Sequence, residues 1–522
     1  MFKDSKVWVA KADNGDDLCL LPKMANRHGL IAGATGSGKT VTLKVLAESF
    51  SDMGVPVFLA DVKGDLAGMI REGSGMEERI ERFSLAGTGY EYKKYPVTFW
   101  DLFGEKGIQL RTTVSEMGPI LLSRILGLND LQSDILTIAF KIADDNGWFL
   151  FDTKDLKALL NELSENNKEY AAKYGKMSPV SISAILRSVV ALETQGAETF
   201  FGEPALNLTD WFTTDTNGKG MINILDSESL INNGVLYSTF LLWMLSELFE
   251  TLPEVGDMEK PKMVFFFDEA HLLFKDTSKA LLDKIEQVVK LIRSKGVGVY
   301  FITQNPRDIP DGVLAQLGNK IQHALHAYTP ADQKAVKAAA DSFRENPEFK
   351  TYDAIMELGT GEAVVSFLDE NGTPGVVRRA FILPPMSKIG GIDDSERDSA
   401  IKGSLLYSKY ANAVDSDSAY EMLQRKGVML AEEAAKAKAE AEAAKAKEKE
   451  EAAKAKEEER EKQKAEAAKK RAAKSVASTV SGTVGREVGK AAGKGFGKFG
   501  KTLGGNIGAS LGRGIIGTLF KL

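Results

Sequence analysis

The sequence predicts an α/β fold whose mostly parallel sheet carries a phosphate-binding loop, and three observations lead there. Residues 33–40, GATGSGKT, fill every position of the G-x-x-x-x-G-K-[ST] pattern. Residues 263–269, MVFFFDE, deliver two carboxylates to the end of an apolar run. Around both, short continuous apolar runs alternate with stretches of helical period, the pattern of a parallel sheet covered on both faces.

The loop has the setting its chemistry needs. "HGLIA" before it reads as a short buried strand, and "VTLKVLAESFSDMG" after it has helical spacing that stops at Gly54. Gly33, Gly36 and Gly38 let the backbone curl, with Ala34, Thr35 and Ser37 between them, so that successive N–H groups and the positive helix end face phosphate oxygens. Lys39 is placed to reach the β- and γ-phosphates of ATP, the Thr40 hydroxyl to ligate Mg²⁺, and Val41 to complete the binding stretch.

Composition bounds the rest. The 522 residues exceed one ordinary domain, and 43% hydrophobic with 27% charged is the balance of a soluble globular protein. The single cysteine, Cys19, excludes a disulfide framework, and four histidines argue against a Cys/His zinc cluster. The first residues lack the apolar core of a signal peptide, and no later run of about 18 apolar residues suggests a membrane span, so the cytoplasm is the expected location. The net charge of −6 hides a basic extreme C-terminus and an acidic region before it.

Taken in order, residues 1–28 offer short strands, "KVWVA" and "LCLL", read as a lid or an extra hairpin on the main sheet. Residues 1–70 thus hold these strands and the first part of the ATPase core. "VPVFLAD" follows the loop helix and brings Asp61 and Lys63 to a strand's carboxyl end, where open α/β sheets place ligands; a helix-capping turn with Asp65 as cap is the alternative. Residues 71–219 read as a mostly helical insertion after the strand "YPVTFWDLF", with amphipathic stretches broken by Gly, Pro and Asn. Arg111, Arg124 and Arg187 fall within it. The core resumes over residues 220–425 with "GMINILD" and a long apolar helix.

At "MVFFFDE", Asp268 is expected to hold Mg²⁺, directly or through water, and Glu269 to polarise the attacking water as general base. "VGVYFITQNP" then gives a strand ending in Gln304. In P-loop ATPases with a glutamate base, the strand between the loop strand and the acidic strand ends in a polar sensor, the role expected of Gln304; a plain turn residue is the alternative. "KIQHALHAY", "EAVVSFL" and "GVVRRAFIL" enlarge the sheet, with His323 and His326 as packing or surface residues.

GLIAGATGSGKTVT, FLADVKGDL, LRTTVSEMGPILL, VFFFDEAHLLF, LIRSKGVGVYFITQNP and LGNKIQHALHAYTPADQKAV together resemble the YjgR-like branch of the HerA/FtsK-type ATPases, often labelled HerA-like helicases, over roughly residues 1–420. The resemblance implies a RecA-like core, a commonly hexameric ring with nucleotide between subunits, and motor work on DNA. The β-barrel that HerA relatives carry ahead of the phosphate loop has no counterpart in residues 1–28, so functions of that barrel, such as docking a nuclease, are not carried over. A site between subunits needs a cation supplied in trans, worth about 10³–10⁵ in rate where present. Arg293 sits where related motors have an arginine before the sensor strand; Arg111 and Arg307 are the alternatives.

Composition then shifts. Residues 426–475 are rich in Ala, Glu and Lys, with i,i+4 Glu-to-Lys pairs but no apolar stripe, which predicts a solvated helical rod or an alanine-seamed coiled coil. In residues 476–522 glycines recur among Val, Phe, Leu and Ile with interspersed Lys and Arg, suited to a membrane surface, nucleic acid, self-association or a disordered basic tail. The expected function is Mg²⁺-dependent ATP hydrolysis in a ring that moves DNA. A nucleotide-controlled scaffold acting through the C-terminal tail is the alternative.

Overall fold

In the computed structural model, residues 1–474 are described apart from 257 and 276–278; the glycine-rich tail expected at 476–522 lies outside the described residues. The strands are β1 (Phe2–Lys3), β2 (Lys6–Ala12), β3 (Asp17–Leu20), β4 (Gly29–Ala32), β5 (Val57–Asp61), β6 (Val97–Asp101) and β7 (Ile108–Gln109). They continue with β8 (Ile222–Asp226), β9 (Met263–Phe267), β10 (Val297–Thr303), β11 (Asn319–His323), β12 (Glu362–Ser366) and β13 (Arg378–Ile382). The described residues form one 13-stranded sheet in the order β1-β2-β13-β12-β11-β4-β10-β9-β5-β8-β6-β7, with β3 paired to β2 off this path.

From β11 across to β7 every neighbouring pair is parallel. Every residue of β4, β5, β8, β9 and β10 is buried, which is why these segments read as continuous apolar runs. β12, β13 and the first hairpin extend the other side antiparallel. Residues 1–20 are therefore the extra hairpin on the main sheet.

The first helix, α1 (Lys39–Asp52), begins directly after the loop. Phe50 packs its ring 6.2 Å from Phe266 of β9 and 6.1 Å from Tyr300 of β10. Burying such a ring contributes roughly 1.5–3 kcal/mol, so α1 is pinned over the strands that carry the acidic pair and Gln304. Two charged residues of α1 are also fully buried. Glu48 accepts from the Met386 and Ser387 N–H groups at 2.7 and 3.2 Å, and the Lys44 ammonium donates to the Lys388 carbonyl at 2.9 Å. Buried charge persists where hydrogen bonds replace water, and here they tie residues 386–388 to the loop helix.

A short helix, α2 (Glu77–Arg82), precedes the helical stretch. There, capping boxes at Thr113 with Glu116, Asn129 with Gln132 and Asp152 with Asp155 start helices Val114–Ile125, Asp130–Asn146 and Thr153–Glu165. β6 and β7 lie in the main sheet, so this stretch is anchored to the core at its beginning. The Arg124 guanidinium donates to Ser238 Oγ at 3.0 Å, joining the insertion to the long helix Gly234–Thr251.

Residues 1–430 make one compact unit and the chain from Ala431 a second. Residues 432–466 of helix Ala419–Lys474 are all exposed, as their lack of an apolar stripe requires. Among the described residues no helix is long and apolar enough to cross a membrane.

Candidate nucleotide site

The loop leaves β4 at the centre of the sheet. The Gly33 N–H donates to the Thr303 carbonyl at 3.2 Å and the Ala34 N–H to the Ala324 carbonyl at 2.8 Å, so the strands on either side fix its entry. Gly33 has φ of +153°, and a Cβ there would meet the His323 Cβ at 2.6 Å and the Ser37 hydroxyl at 2.8 Å. Only glycine fits that cradle. Thr35 and Gly36 are exposed at the loop tip, while Ser37 is buried with its hydroxyl on the Ala34 carbonyl at 2.7 Å. The Lys39 ammonium folds back over the loop, donating to the Gly33 and Ala34 carbonyls at 2.6 and 3.0 Å. Burial lowers its pKa, opposed mainly by Asp268.

Beside the loop lies a cavity of 220 Å³ lined by Gly36, Gly38, Lys39, Thr40, Val41 and, across from them, Lys63, Asp65, Asp268 and Thr360. The elements meet there because β4, β10 and β9 are parallel neighbours ending on one edge of the sheet. β10 thus lies between the loop strand and the acidic strand, as expected for the sensor strand. Gln304 follows it directly, and its side-chain amide donates to both Glu269 oxygens, at 3.2 and 3.3 Å. His271 Nδ1 is 3.4 Å from Glu269 Oε2. Glu269 has φ of +48°, a left-handed conformation that costs a glutamate roughly 1–3 kcal/mol and clusters at functional sites. Removal from water and the adjacent Glu269 push the Asp268 carboxyl up to about 6, while the Glu269 N–H donates to it at 2.9 Å.

The turn after β5 is built by Asp61, which accepts from the Lys63 and Leu66 N–H groups at 3.3 and 3.0 Å. Burial and Asp65 push its carboxyl up to about 7. The 3₁₀ helix that follows, Ala67–Ile70, has no side-chain cap, which overturns the capping alternative for Asp65. Lys63 and Asp65 instead face the cavity.

The donors suit the groups that the sequence implies. The glycine-lined loop with its ammonium fits a polyphosphate, and the Thr40 hydroxyl and Asp268 carboxylate are hard oxygen ligands suited to Mg²⁺. The arginine candidates separate. Arg293 precedes β10, on the sheet edge opposite the loop, and is not brought to the site of its own chain. Arg111 is buried and donates to the Tyr410 carbonyl at 2.8 Å and to Gln109, a structural role. Arg307 is exposed three residues beyond Gln304, on the loop's edge.

His323 proves closer to the site than its sequence suggested. Its Nδ1 lies 2.8 Å from the Glu362 carbonyl, which can only accept, so Nδ1 carries the proton and Nε2 accepts from the Thr42 hydroxyl at 2.8 Å. Burial pushes its pKa down to about 4. The folded state therefore resists its protonation, and the stability that neutral His323 supplies is complete above pH 6.5 and declines as pH falls from 6.5 towards 4. His323→Gln is expected to lower the unfolding free energy from urea titration most at pH 7.5, with the gap from the parent narrowing by about 1.4 kcal/mol per pH unit below 6.5. A gap constant between pH 7.5 and 5 would contradict the neutral, buried ring.

A phosphate loop, an acidic strand and an intervening strand with a polar end define the class: the chain is a P-loop ATPase. It belongs to the family described as helicase HerA-like C-terminal, whose model matches residues 6–502. It is 25% identical over 377 residues to the DNA double-strand break repair helicase HerA of Sulfurisphaera tokodaii, covering 70% of this chain and 67% of that protein. With the HerA of Sulfolobus acidocaldarius identity is 22% over 347 residues, 65% of this chain and 62% of the relative. The chain thus spans about two thirds of the length of these relatives. Among solved structures, the bacterial conjugative coupling protein TrwB aligns with a TM-score of 0.49 at 14% identity, covering 75% of this chain and 92% of that one.

Proposed function

We propose that this chain hydrolyses Mg²⁺-ATP at the edge where β4, β10 and β9 end, within a ring that works on DNA. The observation that carries the reading is that Lys39 and Asp268 line one cavity where three neighbouring parallel strands end, with Glu269 next to Asp268 and Gln304 bonded to Glu269. In this mechanism Lys39 leaves the loop carbonyls for phosphate oxygens. Thr40 and Asp268 would hold Mg²⁺, which would supply charge neutralisation to the phosphates. Glu269 accepts the proton of the attacking water, and Gln304, bonded to the same carboxylate, keeps it aimed. A ring follows the family resemblance and gives Arg293 its role: from the far edge of the sheet it serves only a neighbouring subunit's site.

DNA as partner is supported by what the relatives are: repair helicases and, in Sulfolobus acidocaldarius, the DNA import protein CedB, 23% identical over 360 residues. The test is steady-state ATP hydrolysis with and without single- and double-stranded DNA across a salt series, with Glu269→Gln as control. DNA is expected to stimulate turnover several-fold, with the effect fading as counterions compete for the phosphates. Glu269-dependent hydrolysis indifferent to DNA at every salt concentration would sink the motor reading and favour the scaffold that acts through the C-terminal tail.

A further inference from the structure

The site as built accounts for the phosphate end of a nucleotide and leaves its other end open. Asp268, Glu269 and Gln304 directly follow β9 and β10, to one side of β4, where the proposed mechanism puts the terminal phosphate. A triphosphate wrapped by the loop in that sense directs its nucleoside to the other side, over β11 and β12. What waits there is the turn that leads into β12. The Gly361 N–H donates to the Ser37 carbonyl at 3.0 Å, Thr360 lines the cavity, and a Cβ on Gly38 would lie 3.2 Å from the Gly361 nitrogen.

Over this turn lies Arg79 of α2. A Cβ on Gly361 would meet the guanidinium nitrogens at 3.2 and 3.3 Å, so the missing side chain is what lets the guanidinium come down against the turn. Arg79 is half-buried, yet among the described residues no hydrogen bond or ion pair engages its guanidinium. Its chain neighbours are anchored to the sheet. Arg82 stacks 3.9 Å from the Phe381 ring centroid, Phe83 is buried 6.0 Å from the same ring, and Lys11 donates to the Phe83 carbonyl at 3.3 Å. A half-buried planar cation without a partner, set against the turn whose Thr360 lines the cavity, is suited to the face of a heterocyclic base.

We propose that Arg79 closes the nucleoside end of the site by stacking its guanidinium on the base, the segment 358–361 forming the floor beneath. The proposal rests on the nucleotide site described above. It adds a binding residue from α2, an element outside the phosphate-loop and acidic-strand motifs.

The test compares ATP, ADP and inorganic tripolyphosphate as competitors of a fluorescent nucleotide on the full chain, in the parent, Arg79→Ala and Arg79→Lys. Arg79→Ala is expected to weaken ATP and ADP about tenfold and to leave tripolyphosphate within about twofold, because only nucleotides carry the stacked base. Arg79→Lys keeps the charge and the stem but not the plane, and is expected to show most of the same loss, which keeps the proposal testable should the alanine variant fold poorly. Equal weakening of nucleotides and tripolyphosphate would reassign Arg79 to the phosphates and overturn the proposal, as would unchanged affinities in both variants. A parent chain that binds none of the three would overturn the nucleotide site itself, an outcome distinct from the other two.

Discussion

Glu269→Gln is expected to slow ATP turnover by about 10²–10⁴-fold while leaving ATP affinity within a few-fold, because it removes a base and almost nothing else. Glutamine has the same length, and its side-chain oxygen still accepts from Gln304, whose amide now bonds to both carboxylate oxygens at 3.2 and 3.3 Å. The proton-accepting capacity goes. Backbone strain makes the result informative: a glutamate held at φ of +48° costs stability, and its surroundings keep it there, next to Asp268 with its carboxylate on the Gln304 amide. Measuring single-turnover hydrolysis alongside nucleotide affinity separates the base from the binding groups. Unchanged turnover would mean that another group takes the proton, and the strained turn would then need a different explanation.

The parts of this site that the sequence revealed share a physical cause. MVFFF and VGVYFIT are continuous apolar runs because β9 and β10 are buried on both faces, and a parallel strand so buried leaves its first polar residues at the carboxyl edge. Asp268, Glu269 and Gln304 are those residues, so reading the runs located them. The glycine loop is local by nature, and its spacing alone carries it. The turn at 358–361 is different. It reaches the loop only because β11 and β12 pair antiparallel, a long-range pairing with no local signature, and Arg79 arrives from a six-residue helix whose EERIER sequence looks like any solvated surface. His323 reads in sequence as no more than a packing or surface residue for a related reason: its partners, Thr42 and Glu362, are distant in sequence. Arg293 shows the converse. Its position before the sensor strand is visible in sequence, but which edge of the sheet it occupies follows from β10 running parallel to β4.

Lys39→Ala is expected to reduce ATP affinity by about 100-fold or more, and hydrolysis with it. The ammonium now makes two close hydrogen bonds to loop carbonyls, at 2.6 and 3.0 Å. Exchanging them for bonds to phosphate oxygens replaces neutral acceptors with charged ones, and charge-assisted hydrogen bonds are worth about 1.5–3 kcal/mol each. Burial already disfavours the charged ammonium, so the gain on meeting an anion is larger than at an exposed lysine. The loop itself does not need the side chain. The Ala34 carbonyl keeps the Ser37 hydroxyl, Gly33 and Ala34 keep their bonds to Thr303 and Ala324, and alanine is favourable in the first turn of α1. The ligand-free unfolding midpoint should therefore stay close to the parent's while nucleotide no longer raises it, since a ligand stabilises only the state that binds it. A variant that ATP still stabilises fully would remove the phosphate end of the site, and the places argued for Thr40, Glu269 and Arg79 would fall with it.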